Sequence, residues 1–174
     1  MKSKFVNIIF LLIPLAISNC SQKIPTVKAQ YIEHQNQREV SSLYQPSLDS
    51  TAIIDFSKGV ELLQQNKLDS ARTFFKKILI NHTTVWQAYY FLGLINTQQR
   101  HFNQAQDYLY QCFKYIPYIK KTRALLYLAL AENFEDQGAY GQAKLNYITA
   151  LNLDSLSARA QIGLKRLNIL SQVK

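Results

Sequence analysis

The sequence predicts an all-α fold, a right-handed solenoid of three helix hairpins with one further helix closing the stack. The first observation behind this is a fixed offset: Gly59 and Gly93, Ala71 and Ala105, and Phe75 and Leu109 each stand 34 residues apart. Ala131, Ala143 and Tyr147 repeat the series at 38, the same period lengthened by an inserted Lys120–Arg123. A period of this length marks stacked helical hairpins. The second observation is composition. A chain of 174 residues that is 48% hydrophobic and 12% aromatic can fill a core, while five Gly and four Pro are too few for the turns of an all-β fold.

Taken in order, the chain starts with MKSKFVNIIFLLIPLAISNC. Lys2 and Lys4 precede an uncharged, mostly apolar run from Phe5 to Ile17. At ~1.5 Å per residue that run covers ~20 Å, short of a ~30 Å hydrocarbon core, so it reads as a secretory signal peptide. Ile17-Ser18-Asn19-Cys20 resembles the lipobox of a bacterial lipoprotein signal, with Asn19 departing from the small residue usual before the cysteine. The resemblance implies a signal peptide over 1–19 and lipid on Cys20 that anchors the protein to a membrane. Ser21, rather than Asp, implies sorting to the outer membrane of a two-membrane bacterium. Residues 20–50 hold Pro25 and Pro46 among many Gln, Asn and Ser, with no sustained period, and read as a flexible tether. At ~5–6 Å times the square root of length, its root-mean-square reach is ~30 Å.

The repeat domain is expected over 51–174, with repeats at about 52–85, 86–119 and 120–157 and a capping helix over 158–172. These segments resemble the tetratricopeptide repeat family, whose pattern is W-x2-L-G-x2-Y, then A-x3-F, then P. The second repeat carries it best, with Tyr89, Leu92-Gly93, Ala105, Leu109 and Pro117, although Asn96 stands where Tyr is usual. The first matches at Gly59, Leu62, Ala71 and Phe75, with Asp55 and Lys58 in place of apolar residues. The third matches at Tyr127, Leu130-Ala131, Ala143 and Tyr147.

Physics assigns roles to these positions. Gly59, Gly93 and Ala131 mark where paired helices approach closest, and Ala71, Ala105 and Ala143 impose the same limit from the partner helix. Asn66, Arg100 and Gly138 are helix stops. Leu68, Phe102 and Tyr140 are expected to plug the turns, and Asp69 and Asn103 to cap the second helices. The four residues Lys120–Arg123 add about one turn to the start of the third repeat. In the closing helix Ala160, Gly163, Leu164 and Leu167 form one apolar stripe, leaving Arg159, Lys165 and Arg166 outside.

The family resemblance also implies a function: a concave groove, lined by the first helix of each repeat, that holds an extended peptide or a partner helix. Carried over by position, the groove takes Ile53, Phe56, Val60 and Leu63 from repeat one and Gln87, Tyr90, Leu94, Thr97 and Gln98 from repeat two. Repeat three gives Leu125, Leu128, Glu132, Glu135 and Asp136, and the cap adds Ile162 and Arg166. Phe56 and Tyr90 occupy places where some members carry lysines that clamp a partner's terminal carboxylates. An apolar partner with Lys or Arg is therefore expected, drawn to the three carboxylates.

Catalysis is not expected. His34, His82 and His101 fall in the tether or in turns, and no HExxH, phosphate loop, GxSxG or Cys–His pairing is present. Glu132, Glu135 and Asp136 share a helix face but lack the loop carbonyls of a cation site, so neither a metal nor a cofactor is expected. Cys112 sits at a small-residue position and reads as an inert, buried thiol. The net charge of +9 falls to about +7 without Lys2 and Lys4. It favours anionic surfaces, but the cations are scattered and no base-reading helix appears, so nucleic acid is not an expected partner. The alternative function is a structural subunit of an envelope complex whose groove is permanently filled by a neighbour or by the tether.

Overall fold

A computed structural model describes residues 48–172. They form α1 (Ser50–Gln64), α2 (Leu68–Asn81), α3 (Trp86–Gln98), α4 (Phe102–Tyr115), α5 (Lys120–Gln137), α6 (Tyr140–Leu153) and α7 (Ala158–Gln172), with no strand among the described residues. The signal peptide, Cys20 and all but the last residues of the tether lie outside them. Helices pair as α1–α2, α3–α4 and α5–α6, and α7 packs on α6. The weaker contacts α2–α3 and α4–α5 chain the pairs in sequence order, which makes an all-α solenoid. The extra residues of repeat three extend α5 to 18 residues, starting at Lys120 as the inserted turn requires.

Small residues set the hairpin spacing. A Cβ on Gly59 would stand 2.9 Å from Cζ of Phe75, and one on Gly93 would stand 2.6 Å from Cδ2 of Leu109. Both are inside van der Waals contact, so these helices could not close on a larger residue. Ala131 is fully buried beside Ala143 and Tyr147 in the third cluster. The closing helix obeys the same rule, because a Cβ on Gly163 would overlap the Tyr147 ring. Phe75, Leu109 and Tyr147 are all fully buried, each removal from water being worth ~1.5–3 kcal/mol.

The turns inside the three hairpins share one construction. Asn66 (φ 56°), Arg100 (φ 63°) and Gly138 (φ 85°) each adopt a left-handed conformation. Their amides donate to the carbonyls of Leu63, Thr97 and Glu135, while the next amides donate to Leu62, Asn96 and Phe134. This pair of bonds is the Schellman motif, and it satisfies carbonyls that a helix end leaves open. The stops therefore act as the sequence predicts, but the expected caps do not. The carbonyls of Lys67, His101 and Ala139 already accept from Ala71, Ala105 and Ala143, so the cap positions fall two residues before Asp69 and Asn103 and the helices begin one residue before them. Of the expected plugs, Leu68 and Phe102 are partly buried and Tyr140 is exposed.

The domain opens slightly before the sequence boundary at 51. Asp49 caps α1, accepting from the Ala52 amide at 2.8 Å and the Thr51 hydroxyl at 2.5 Å. It also bonds Nε2 of His82 at 2.9 Å, tying the start of α1 to the end of α2. These bonds, the Thr51 hydroxyl first, hold the Asp49 carboxyl down at about 2 instead of 3.8. A carboxyl lowered in the folded state supports folding fully above its unfolded value and loses that support as pH falls through the folded one. Acidification from pH 4 towards pH 2 is thus expected to fray α1 first. Faster exchange of the Ala52 amide, matched at neutral pH by Asp49→Ala, is the check; equal rates in the variant and the wild type would remove the cap.

Candidate partner-binding face

The first helices of the repeats meet one another along one side: α3 contacts α5, and α5 contacts α7. This inner layer carries the sequence-predicted groove residues, and the structure divides them. Val60, Tyr90 and Leu128 are buried in the hydrophobic core, as are Gln87 and Thr97, and offer little surface. Tyr90 and Leu128 are withdrawn where neighbouring helices of this layer meet, and Val60 joins the core cluster of the first two hairpins. Phe56, Leu63, Leu94 and Leu125 are only partly buried, and Gln98 is exposed. Phe56 is held edge-on by Phe75 at 5.8 Å and Phe91 at 5.6 Å. Its ring therefore forms a fixed part of the wall.

The acidic end differs most from expectation. Glu132 and Glu135 do not stand as a bare carboxylate pair, because α7 engages both. Nη2 of Arg159 donates to the two oxygens of Glu132 at 2.6 and 2.7 Å, and both side chains are mostly buried. Arg166 donates through Nε and Nη2 to the two oxygens of Glu135 at 2.8 and 2.7 Å. The Tyr147 hydroxyl also donates to Glu135, at 2.5 Å. Burial, with the Glu135 hydrogen bond second, pushes the Tyr147 phenol far above its ordinary range. The Glu135 hydrogen bond likewise raises Arg166. Arg159 is thus turned inwards rather than left outside, and the charge meant to attract a basic partner is already neutralised. Asp136 remains exposed at the end of this cluster.

Two further features escape sequence reasoning. Asn133, fully buried, donates to the Thr97 hydroxyl at 3.0 Å and accepts from Gln106 at 3.0 Å, a polar joint between the second and third hairpins. The pair Asp55–Lys77 at 2.9 Å explains an acid in a family position that is usually apolar. The only available signal was that each polar residue broke an apolar pattern.

Cys112 is fully buried, its Sγ is 3.4 Å from the Trp86 carbonyl, and burial pushes its thiol up to about 12. No group of three His, Cys, Asp or Glu side chains able to hold a metal occurs among the described residues. A shallow depression of about 340 Å³ lies at the α3–α4 turn, lined by Arg100, His101, Phe102, Asn103, Gln104 and Gln137. Its walls are the α3–α4 turn, the first turn of α4 and the last residue of α5.

Paired helices, small-residue contacts and three matching turns define a solenoid of the tetratricopeptide-repeat type. The fold is similar to that of the Arabidopsis OM64 TPR domain: the TM-score is 0.61 at 18% identity, covering 68% of this chain and 94% of that domain. No family model matches the sequence, and none of the curated proteins does.

Proposed function

We propose that this chain is a non-catalytic protein–protein interaction module of the bacterial cell envelope. Lipid on Cys20 anchors it, at the outer membrane, and its first-helix face holds a partner peptide or helix. The observation that carries the docking reading is the band of partly buried apolar residues, Phe56, Leu63, Leu94 and Leu125, on three successive first helices. A band of this kind is half-desolvated already and gains by being covered. The partner segment is apolar. The case for basic residues in it is weakened, because Arg159 and Arg166 hold Glu132 and Glu135.

A second reading has its own observation. Leu48 packs against the first core cluster, as do Phe56 and Leu63. The chain thus enters the domain against the cluster that also holds Phe56 and Leu63, and in this reading the tether itself is the competing occupant in an envelope subunit.

A photoreactive residue at Leu94, compared in intact cells with one at Tyr110 on α4, is the test. An adduct with one partner at position 94 and none at 110 is expected; only intramolecular adducts would favour the tether, and none at all would end the docking reading. Separately, incorporation of radioactive fatty acid should vanish in Cys20→Ala, and an unlabelled wild type would end the anchor.

A further inference from the structure

Antiparallel helices joined by short turns place the three hairpin-to-hairpin junctions on one edge of the solenoid and the three within-hairpin turns on the other. The two edges differ in chemistry. The within-hairpin edge is polar and bonded to itself: Gln98 donates to Asn66 and Gln99 to Asp69, both at 3.0 Å, and Gln106 donates to Gln137 at 3.1 Å. The junction edge carries the most exposed large apolar residues of the described chain. Ile80 lies in the last turn of α2 at 76% exposure, Tyr118 precedes α5 at 84% with Ile119 beside it, and Leu156 precedes α7 at 84%. Ile54, near the start of α1, belongs to the same edge and is also exposed. Each junction thus carries a protruding apolar tip.

Cations accompany two of these tips, Tyr118 and Ile80. Lys114, Lys120 and Lys121 are exposed around Tyr118, and the Arg123 guanidinium lies over the Tyr118 ring, 4.2 Å from its centroid. Lys76 and Lys77 are exposed on the last turns of α2, Lys77 bonded to Asp55. The acids of this edge are otherwise engaged: Asp49 bonds His82, and Asp154 accepts from the Leu156 amide at 3.3 Å. The chain also enters the domain on this side, at Leu48.

We propose that this junction edge is a docking surface for an anionic phospholipid bilayer. Tyr118, Ile119, Leu156 and Ile80 enter the headgroup region while Lys120 and Lys121 face lipid phosphates. Protruding apolar side chains, with exposed lysines beside two of the three junctions, suit that boundary, where the ring or alkyl tip leaves water and the charge stays at the surface. Tyrosine suits it further, with an apolar ring and a polar hydroxyl. A peptide groove would be concave and continuous, whereas these tips stand apart at the ends of separate hairpins. The inference draws on the anchoring reading only in that a tether from Cys20 would bring this edge to the membrane first.

The test uses the full chain mixed with vesicles of equal parts phosphatidylglycerol and phosphatidylcholine bearing brominated acyl chains. Tyr118→Trp, Leu156→Trp and, on the opposite edge, Gln104→Trp are compared, with buried Trp86 as the common background. Quenching beyond that background is expected at 118 and 156 and not at 104. Lys120→Glu with Lys121→Glu should weaken that quenching about tenfold, as should replacing phosphatidylglycerol by phosphatidylcholine. All these positions are exposed, and an unchanged helical circular dichroism spectrum confirms folding. Equal quenching at the three positions, none at 118 and 156, or indifference to lipid charge would each overturn the proposal. So would a dimer in sedimentation that Leu156→Lys dissolves, which would give the edge to a second copy. Unquenched 118 and 156 in a chain whose Cys20 takes up fatty acid would reject the edge and leave the anchor standing.

Discussion

Phe75→Ala is expected to cost about 3–5 kcal/mol of folding free energy, a large share of the ~5–15 kcal/mol that a domain of this kind commands. The side chain is fully buried and joins three helices. Its ring lies in the space that Gly59 leaves on α1, stacks on Phe91 of α3 with centroids 5.0 Å apart, and meets Phe56 edge-on. Removing it opens a cavity that rigid helix backbones cannot close. Urea denaturation followed by circular dichroism and by Trp86 fluorescence reads the loss. A companion variant makes the result specific. Alone, Gly59→Ala should destabilise by ~1–3 kcal/mol, because its methyl would stand 2.9 Å from the Phe75 ring. In the Phe75→Ala background the ring is gone, and the same methyl should be neutral or stabilising, since alanine favours a helix over glycine by ~1 kcal/mol. If Gly59→Ala keeps its sign in both backgrounds, the close approach is not what requires glycine there.

That contact is where sequence and structure agree best, and the reason is physical. Close helix approach admits only small residues, so it leaves a mark in residue type that survives without coordinates. The same holds for the turn stops: a left-handed residue at Asn66, Arg100 and Gly138 is required by chain reversal, and one of the three is glycine. Cap positions were less legible. Asp and Asn at positions 69 and 103 look like caps in isolation, yet the Schellman turn runs straight into the next helix and places them in its first turn. There Asp69 accepts from Gln99 of the neighbouring hairpin instead.

The candidate face was legible by position but not by exposure. Repeat register correctly names residues on the first helices, yet register alone cannot say how closely those helices lie to one another. Tyr90 and Leu128 became core because α3 touches α5 and α5 touches α7, and Val60 because it joins the cluster shared by the first two hairpins. Glu132 and Glu135 looked like solvated carboxylates because their partners, Arg159 and Arg166, lie 27 and 31 residues away on a helix read as having a wholly polar outer side. The apolar stripe of Ala160, Gly163 and Leu167 was seen, while the charge lock beside it was not.

Glu132→Lys with Glu135→Lys is therefore expected to act on stability before it acts on any partner. Each change removes an acceptor from an arginine and adds a second cation beside it. For Glu132–Arg159, whose side chains are 13% and 19% exposed, breaking one partner of so buried a pair is worth about 3–5 kcal/mol. Glu135–Arg166 has a half-exposed arginine, and solvent screening holds its share to ~1 kcal/mol or less. The sum should detach α7 and uncover Ala160, Gly163 and Leu167, read as faster amide exchange in α7 and α6 while α1 to α4 stay protected. Charge reversal separates this lock from partner capture. Adding Arg159→Glu and Arg166→Glu to the double variant restores opposite charges across the same gap, and most of the lost stability should return. A quadruple variant as unstable as the double one would mean that arginine geometry, rather than charge opposition, holds α7, because lysine cannot reproduce the two-nitrogen fork that Arg166 places on Glu135. If neither variant moves the exchange of α7, its attachment rests on the Tyr147–Gly163 contact and the apolar stripe alone, and the two ion pairs contribute no net stability.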